Sequence, residues 1–324
     1  MSAEARDLVA ARDASAPLIV SRAARQRARL VDMIATTIMS AAALLLVVVL
    51  FGVIFFLLRA GLPALSWRFL TNSGSFAQEG GGIGPQIFVS VYMLVLALVF
   101  TAPIGVGAAV YLAEYARPGR LTNAIRFSTE ALASVPSVVF GVFGAIVFLS
   151  IFHLGFSVLS GALTLTLLNL PLMVRIAEDA IRSVPESYRE ASLALGGTQW
   201  ETIRKAVLPS AVPGIVTAMV LTGGRIIGET APLILTTGTT ISANARYSLN
   251  PLQTGETLAV HIWVLKIVGV PGLQDAQRVA DGSAATLLLI VLLVNIGAAY
   301  FTGRLQKRLS GTAGPPRAGG HKKA

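Results

Sequence analysis

Six apolar stretches constrain this 324-residue chain more than any other feature, because each is long enough to cross a hydrocarbon core of about 30 Å, which takes about 20 helical residues. They fall at 33–58, 87–113, 131–152, 157–177, 211–235 and 284–303. Backbone inside a bilayer must satisfy its own polar groups, so runs of this length and composition predict an all-α polytopic membrane protein with six transmembrane helices. Only His153 to Phe156 separate the third stretch from the fourth, which predicts a tight helical hairpin. The composition agrees: 13% of the residues are charged and the mean hydropathy is +0.71, whereas soluble domains carry about 25% charged residues. The first stretch is longer than the roughly 7–15 apolar residues of a signal peptide and reads as a retained anchor.

The net charge of +10 sorts by membrane side. With the amino terminus inside, and Arg175 at the inner end of the fourth stretch counted with the cytoplasm, 20 of the 26 Lys and Arg fall in cytoplasmic segments, 5 outside and 1 within a span, as the positive-inside rule requires. Arg22, Arg25, Arg27 and Arg29 precede the first span, and Arg304, Lys307 and Arg308 follow the last. Topology therefore accounts for the basic excess without nucleic acid. The chain has no Cys and three scattered His, at 153, 261 and 321, which gives no metal-ligand spacing and no thiol chemistry. The expected organisation is a disordered cytoplasmic arm (1–32), an anchor helix (33–58), an external loop (59–86), a membrane core (87–305) and a disordered cytoplasmic tail (306–324). Within the core lie a cytoplasmic loop (178–210) and an external segment (236–283).

The cytoplasmic loop is the most informative segment. Ser183-Val184-Pro185-Glu186 fits a capping box with an early Pro, predicting a helix that ends at Gly196-Gly197. Thr198-Gln199-Trp200-Glu201 is a second capping box, predicting another helix that Pro209 stops. Tyr188, Ala191 and Leu195 share one face of the first helix, and Trp200, Ile203 and Val207 one face of the second, a pattern suited to docking a partner. The run EASLALGGTQWETIRKAVLP, Glu190 to Pro209, resembles the EAA loop of ABC-importer permeases. Glu190, Ala191, Gly196, Leu208 and Pro209 match that pattern in register, while Ser192 replaces an Ala and Ala206 an Ile. The resemblance implies insertion into a groove of an ATPase subunit, with Glu190 and Gly196 helping to transmit its closure. An interfacial hairpin on the membrane surface explains the caps and apolar faces equally well, but not the register of those five positions.

No nucleotide site is expected in the chain itself. Gly223 to Thr230, GGRIIGET, is the nearest match to a phosphate-cradling loop, but Glu229 stands where Lys must meet the phosphates. ATP and Mg are therefore expected in a partner ATPase, with no cofactor bound by this chain and no enzymatic activity of its own.

Arg225 and Glu229 lie one helical turn apart inside the fifth stretch, where an Arg costs on the order of 2.5–3.5 kcal/mol on insertion scales. Two readings fit: an ion pair that packs the bundle, or a permanently charged donor fork for an oxyanion that Glu229 orients and tempers. Gly224 and Gly228 are spaced for close helix approach, as is Gly223 beside them, and Pro232 is expected to bend the outer end. Thr230 offers a hydroxyl either to a transport path or to its own helix.

GGRIIGETAPLILTTG, together with PIGVGAAVYLAEYA at Pro103 to Ala116 and SVPSVVFGVFG at Ser134 to Gly144, resembles the PstA-type permease family of phosphate-specific ABC transporters over about residues 83–305. The resemblance implies a type I importer permease core and a heterodimer with a sister permease. It further implies two ATPase subunits, an external phosphate-binding protein and a bacterial inner-membrane location with both termini cytoplasmic. It makes Arg225 the pore arginine, and it sets Arg175, at the inner end of the fourth span, against a plain snorkelling anchor as a second functional arginine. A permease for molybdate or sulfate, or the sister phosphate subunit, fits the same machinery. An ATP-independent channel would leave the cytoplasmic loop unexplained, and a membrane scaffold would leave Arg225 unexplained.

Outside, the Gly-rich run 72–86 leads into the core. Leu258, Ile262 and Leu265 line one side of an expected amphipathic helix that either lies on the membrane or supports the docking of a binding protein, with His261 and Trp263 as interfacial residues.

Overall fold

The computed structural model describes residues 22–72, 82–239, 247–269 and 275–310, and the elements among them are helices. They belong to two compact units, Met1–Phe56 and Leu57–Ala324. The described part of the first unit is the leading portion of α1 (Arg22–Gly61), in which the apolar side chains from Leu30 to Phe56 are exposed except for the half-buried Ile54, among them Leu44, Leu46, Phe51 and Phe55. A helix that is apolar all round and unburied is built for lipid. The arm expected to be disordered is helical from Arg22 onward. Ala and Arg there are good helix formers, and extending a formed helix costs far less than starting one. The rest of the arm, 1–21, the Gly-rich stretch 73–81 and the tail from 311 lie outside the described residues.

The second unit is built around two long helices, α3 (Gly84–Val110) and α6 (Val158–Arg182), with α9 (Leu208–Gly228) packed on both. Val89, Met93 and Ala97 of α3, Ala162, Leu165 and Leu168 of α6 and Ile226 of α9 share one core. Inside that core α6 is strongly polar, yet Thr164 Oγ1 donates to the Ser160 carbonyl at 2.8 Å and Asn169 Nδ2 to that of Leu165 at 2.8 Å. Back-bonding of this kind removes most of the cost of burying polar groups. Five helices are long and apolar enough to span, or six if a bent pair is counted as one.

That bent pair corrects the third span. The chain forms α4 (Arg120–Ser134), breaks at Val135-Pro136, and resumes as α5 (Ser137–Gly144) with a π-helical turn Ala145–Ile151, the two arms meeting at 99°. Pro136 lacks an N–H and drives Val135 out of the helical region, to ψ 133°. The following hairpin is tight, with His153 at φ 56° and Gly155 at φ 64°.

The fifth span is also divided. α9 ends at Gly228, Glu229 is extended at ψ 134°, and α10 (Ala231–Thr236) starts afresh with Pro232 in its first turn. Pro232 does more than bend an end: in a continuous helix its ring would meet the Gly228 carbonyl four residues back. Pro209, expected to stop a helix, does not. It lies in the first turn of α9 directly after a π-helical turn, Ile203–Val207, that widens the backbone where its ring would otherwise clash.

The external segment is no surface helix. α11 (Leu258–Trp263) and its π-helical turn Val264–Val268 bury Leu258 and Leu265 against Phe69 of α2 (Trp67–Thr71), Ile83, and Val279 and Ala280 of α12 (Ala276–Ser310). Four elements offer apolar faces to one another there, which removes more area from water than lying flat would. The stretch before α11 also caps α6. Val158 N donates to the Gln253 carbonyl at 2.9 Å and Leu159 N to that of Pro251 at 2.8 Å, satisfying amides a helix start leaves open.

Candidate translocation site and coupling hairpin

The charged pair sits at the break between α9 and α10. Arg225 Nε donates to Glu229 Oε1 at 3.1 Å, with the two side chains 38% and 14% exposed. The terminal guanidinium nitrogens make no hydrogen bond among the described residues, so half of the donor fork is free. Depth follows from neighbours: Thr222 Oγ1 reaches Met173 Sδ at 3.8 Å. Arg225 lies about one turn, roughly 5 Å, beyond that level, near the middle of α6. Breaking the helix here leaves the last carbonyls of α9 without partners in their own helix, in a setting where only a polar or watery path tolerates them.

Around the pair, Gly223 faces Leu94 and Leu98 of α3, and Gly224 faces Asn295 of α12, whereas a side chain at Gly228 would meet open space. Close packing thus accounts for Gly223, where an added Cβ would come within 3.2 Å of Leu94, and for neither of the other two. Thr230 is the first residue of the restart, its Oγ1 3.5 Å from the Gly228 carbonyl. Arg175 stays apart from Arg225. It is exposed at the inner part of α6, in a cleft of about 270 Å³ with Arg126, Glu130, Glu178, Asp179 and Arg182. Glu178 takes Arg126 at 2.6 Å and Arg182 at 2.9 Å, while Arg175 has no ion pair among the described residues.

The hairpin comprises α7 (Glu186–Ala194), a turn, and α8 (Gln199–Thr202), which runs through the π-helical turn into α9. Its first cap differs from expectation. Ser183 closes α6, donating to the Ala180 carbonyl at 2.7 Å, and Pro185 stands before α7 without a side-chain cap. The sequence from Glu178 to Ser183 is too good a helix for α6 to end earlier, so Ser183 is spent as its last residue. The second capping box forms: Glu201 N donates to Thr198 Oγ1 at 3.3 Å and Thr198 N to Glu201 Oε2 at 3.1 Å. Gly196 turns the chain at φ +84°, a left-handed conformation that costs other residues about 1–2 kcal/mol.

α7 buries none of its residues. Tyr188, Glu190, Ala191, Leu193 and Trp200 are exposed, and Leu195 is 90% exposed. Trp200 does not share a side with Ile203 and Val207, which are fully buried. Leu208 is half-buried and Pro209 exposed at the junction with α9.

Two groups escaped sequence reasoning. Glu114 and Arg189 form a nearly buried ion pair between the end of α3 and α7, although both look like ordinary charges of an inner loop. Gln86, Glu256 and His261 meet at the outer end: Gln86 Nε2 donates to Glu256 Oε2 at 3.1 Å, and His261 Nδ1 lies 3.1 Å from the same oxygen. His261 is therefore core rather than interfacial, and Trp263 is half-buried. Spacing is silent about partners 170 residues apart.

The chain can be compared with known proteins. The family of binding-protein-dependent transport system inner membrane components matches residues 102–311. The probable ABC transporter permease protein YqgI of Bacillus subtilis is 38% identical, covering 87% of this chain and 98% of its own. The phosphate transport system permease protein PstA of Xylella fastidiosa is 35% identical over 84% of this chain and 93% of its own. PstA 1 of Mycobacterium tuberculosis is 32% identical over 90% and 94%. Among solved structures, a chain of a bacterial alginate ABC transporter, in complex with an alginate-bound periplasmic protein, superposes with a TM-score of 0.64 at 15% identity, over 85% of this chain and 96% of that one. A chain of the MetNI methionine ABC transporter gives 0.57 at 20% identity, over 69% and 95%. At such identities the structures speak for the fold, that of ABC importer permeases. Helical architecture, an exposed inner hairpin and matching relatives along most of its length agree: the chain belongs to the family of binding-protein-dependent transport system inner membrane components, the permeases of ABC transporters.

Proposed function

We propose that this permease imports inorganic phosphate, forming half of a translocation pathway whose other half is a sister permease. Two ATPase subunits holding ATP and Mg dock at the hairpin, and an external phosphate-binding protein delivers the anion. Both termini lie in the cytoplasm of a bacterial inner membrane. The PstA relatives support phosphate as the substrate.

The observation that carries the reading is Arg225, with its terminal nitrogens free at a helix break near the middle of the bundle. An Arg fork binds a tetrahedral oxyanion through two parallel hydrogen bonds. Glu229 holds Nε, fixing the plane of the fork, and its negative charge weakens the grip so that the anion is released. Glu229 also gives selectivity a physical basis. Its carboxylate can accept a proton-bearing phosphate oxygen, whereas sulfate and molybdate have none at neutral pH and meet only repulsion. Thr230 supplies a further hydroxyl at the same break. Arg175, in its inner cleft, meets the anion on its way out.

Phosphate uptake by the reconstituted complex tests this. Arg225→Ala is expected to lower uptake by about a hundredfold, the loss of one charged hydrogen-bonding group at a site, with ATPase subunits still bound. Uptake at the wild-type rate refutes the role given to Arg225.

A further inference from the structure

The exposed hairpin has one obvious mechanical outlet. α8 continues into α9, so any displacement of the hairpin reaches Arg225 along the chain itself. A second outlet is visible in side chains. Glu114 lies in the π-helical turn Tyr111–Tyr115 that ends α3, and Arg189 lies in α7, directly before Glu190. Arg189 Nη2 donates to Glu114 Oε1 at 2.7 Å, and Nε lies 3.2 Å from both carboxylate oxygens. The remaining donors are also used. Nη1 reaches the Val184 carbonyl at 2.8 Å and Glu186 Oε2 at 3.2 Å, and Nη2 the Ile181 carbonyl at 3.1 Å. Gln199 Nε2, on α8, donates to the Glu114 backbone carbonyl at 2.8 Å. One residue of α3 is thus held from both helices of the hairpin.

This tie is polar because α7 itself is not packed: Ala109, Val110 and Ala113 at the end of α3 pack with Ala177, Ile181, Val184, Val207 and Ala211, and none of these lies in α7. A cleft of about 580 Å³ opens between α7 and the end of α3, lined by Ala113, Glu114, Glu186, Arg189, Leu193 and Gln199 among others. Arg189 crosses it, 14% exposed, to a Glu114 that is 8% exposed. Hydrogen bonds to Glu114 hold the guanidinium above its ordinary pKa, so it remains charged at any physiological pH. A nearly buried ion pair is on average no better for stability than apolar side chains of the same size. It differs in being directional: a fork on a carboxylate resists sliding and rotation, which apolar contacts permit.

We propose that Glu114 and Arg189 are a second coupling link, a positioning pair that passes displacement of the hairpin to α3. α3 and α9, which meet at Leu94 and Gly223, then move together when the ATPase closes. The inference rests on the hairpin being the ATPase docking site. It assigns work to residues that touch neither ATP nor phosphate.

The test uses the full transporter in proteoliposomes. Glu114→Gln and Arg189→Lys keep size and remove the bidentate pair. Both are expected to retain the ATPase subunits and basal ATP hydrolysis, while phosphate imported per ATP falls about tenfold, within the usual range of coupling between sites. The absence of Cys in this chain allows a second arm. With partner chains also freed of Cys, E114C/R189C is expected to be equally uncoupled, and bridging the two thiols with a short bifunctional methanethiosulfonate is expected to restore import per ATP. Unchanged import per ATP in E114Q and R189K, or no recovery on bridging, overturns the link while leaving the docking site intact. Failure of the unaltered chain to hold ATPase subunits through the hairpin overturns the docking reading, and the link with it.

Discussion

α3 is gripped at both ends by residues far away in sequence, and the two grips are built on different terms. At the inner end Glu114 is held across an open cleft by Arg189, on a helix that buries nothing. At the outer end Gln86, 8% exposed, meets Glu256 at 2% and His261 at 4%, inside a segment whose apolar side chains are packed away. There the Gln86 Oε1 and His261 Nε2 atoms are buried without a hydrogen-bond partner among the described residues. Moving the outer end would expose apolar area and break the few bonds those polar groups have. At the inner end Ala109 of α3 packs with Ala177, Ile181, Val184, Val207 and Ala211, but α7 itself buries nothing, so displacing α7 exposes no buried apolar side chain. The contrast is between an outer grip made by buried side chains and an inner grip made by a helix, α7, that buries none; the exposed Tyr188, Leu195 and Trp200 lie on that second side.

If that is right, removing the outer grip should cost the fold and touching the inner one should cost function. Glu256→Ala leaves Gln86 Nε2 and His261 Nδ1 buried and unpaired, at a price of about 3 kcal/mol. A fall in apparent melting temperature in detergent reads it, and the contrast breaks if Glu114→Gln lowers that temperature as much. Leu195→Asp places a charge on the most exposed apolar side chain of the hairpin. The expected loss is about 2 kcal/mol of ATPase affinity, or roughly thirtyfold, at a central contact, with the melting temperature unchanged; titration with the isolated ATPase would show it. Gly196→Ala has room for its methyl group but must keep φ near +84°, costing about 1 kcal/mol and a small drop in melting temperature. A drop as large as that of E256A would mean that the hairpin is as rigid as the outer end.

The smallest effect concerns pH. Hydrogen bonds from Lys205 first, then from the Thr198 backbone and hydroxyl, lower the Glu201 carboxyl from its usual 4.5 to about 2. A depressed carboxylate contributes fully above its unfolded value and loses that contribution as pH falls through the folded one. The second capping box should therefore hold down to about pH 4.5 and loosen between there and about 2. Fluorescence of Trp200 in a W67F/W263F background reports it, and a midpoint at or above 4.5 contradicts the assignment.

The helical hairpin was legible because its signals are local. A capping box, a left-handed Gly and five residues in register act within a few positions of one another, so Thr198, Gly196 and Glu190 could be placed from sequence. The breaks at Val135-Pro136 and Gly228 were half legible, since both prolines stood in plain view inside apolar runs. A wider π-helical turn can absorb a proline, as at Pro209, and sequence does not tell which outcome follows. Arg225, Glu229 and Thr230 each stood out as residues, but their meeting at a helix break depends on where α9 ends.

By itself the sequence determined that this chain lives in a bilayer and carries five or six stretches able to cross it, with an exposed helical hairpin between two of them. Those properties come from transfer energies and backbone geometry that act residue by residue or turn by turn. Tertiary structure alone decided that α11 is buried, that Glu114 meets Arg189 and that His261 meets Glu256. Each of those depends on which neighbours remove a side chain from water, and that is a property of the packed bundle rather than of any stretch of chain.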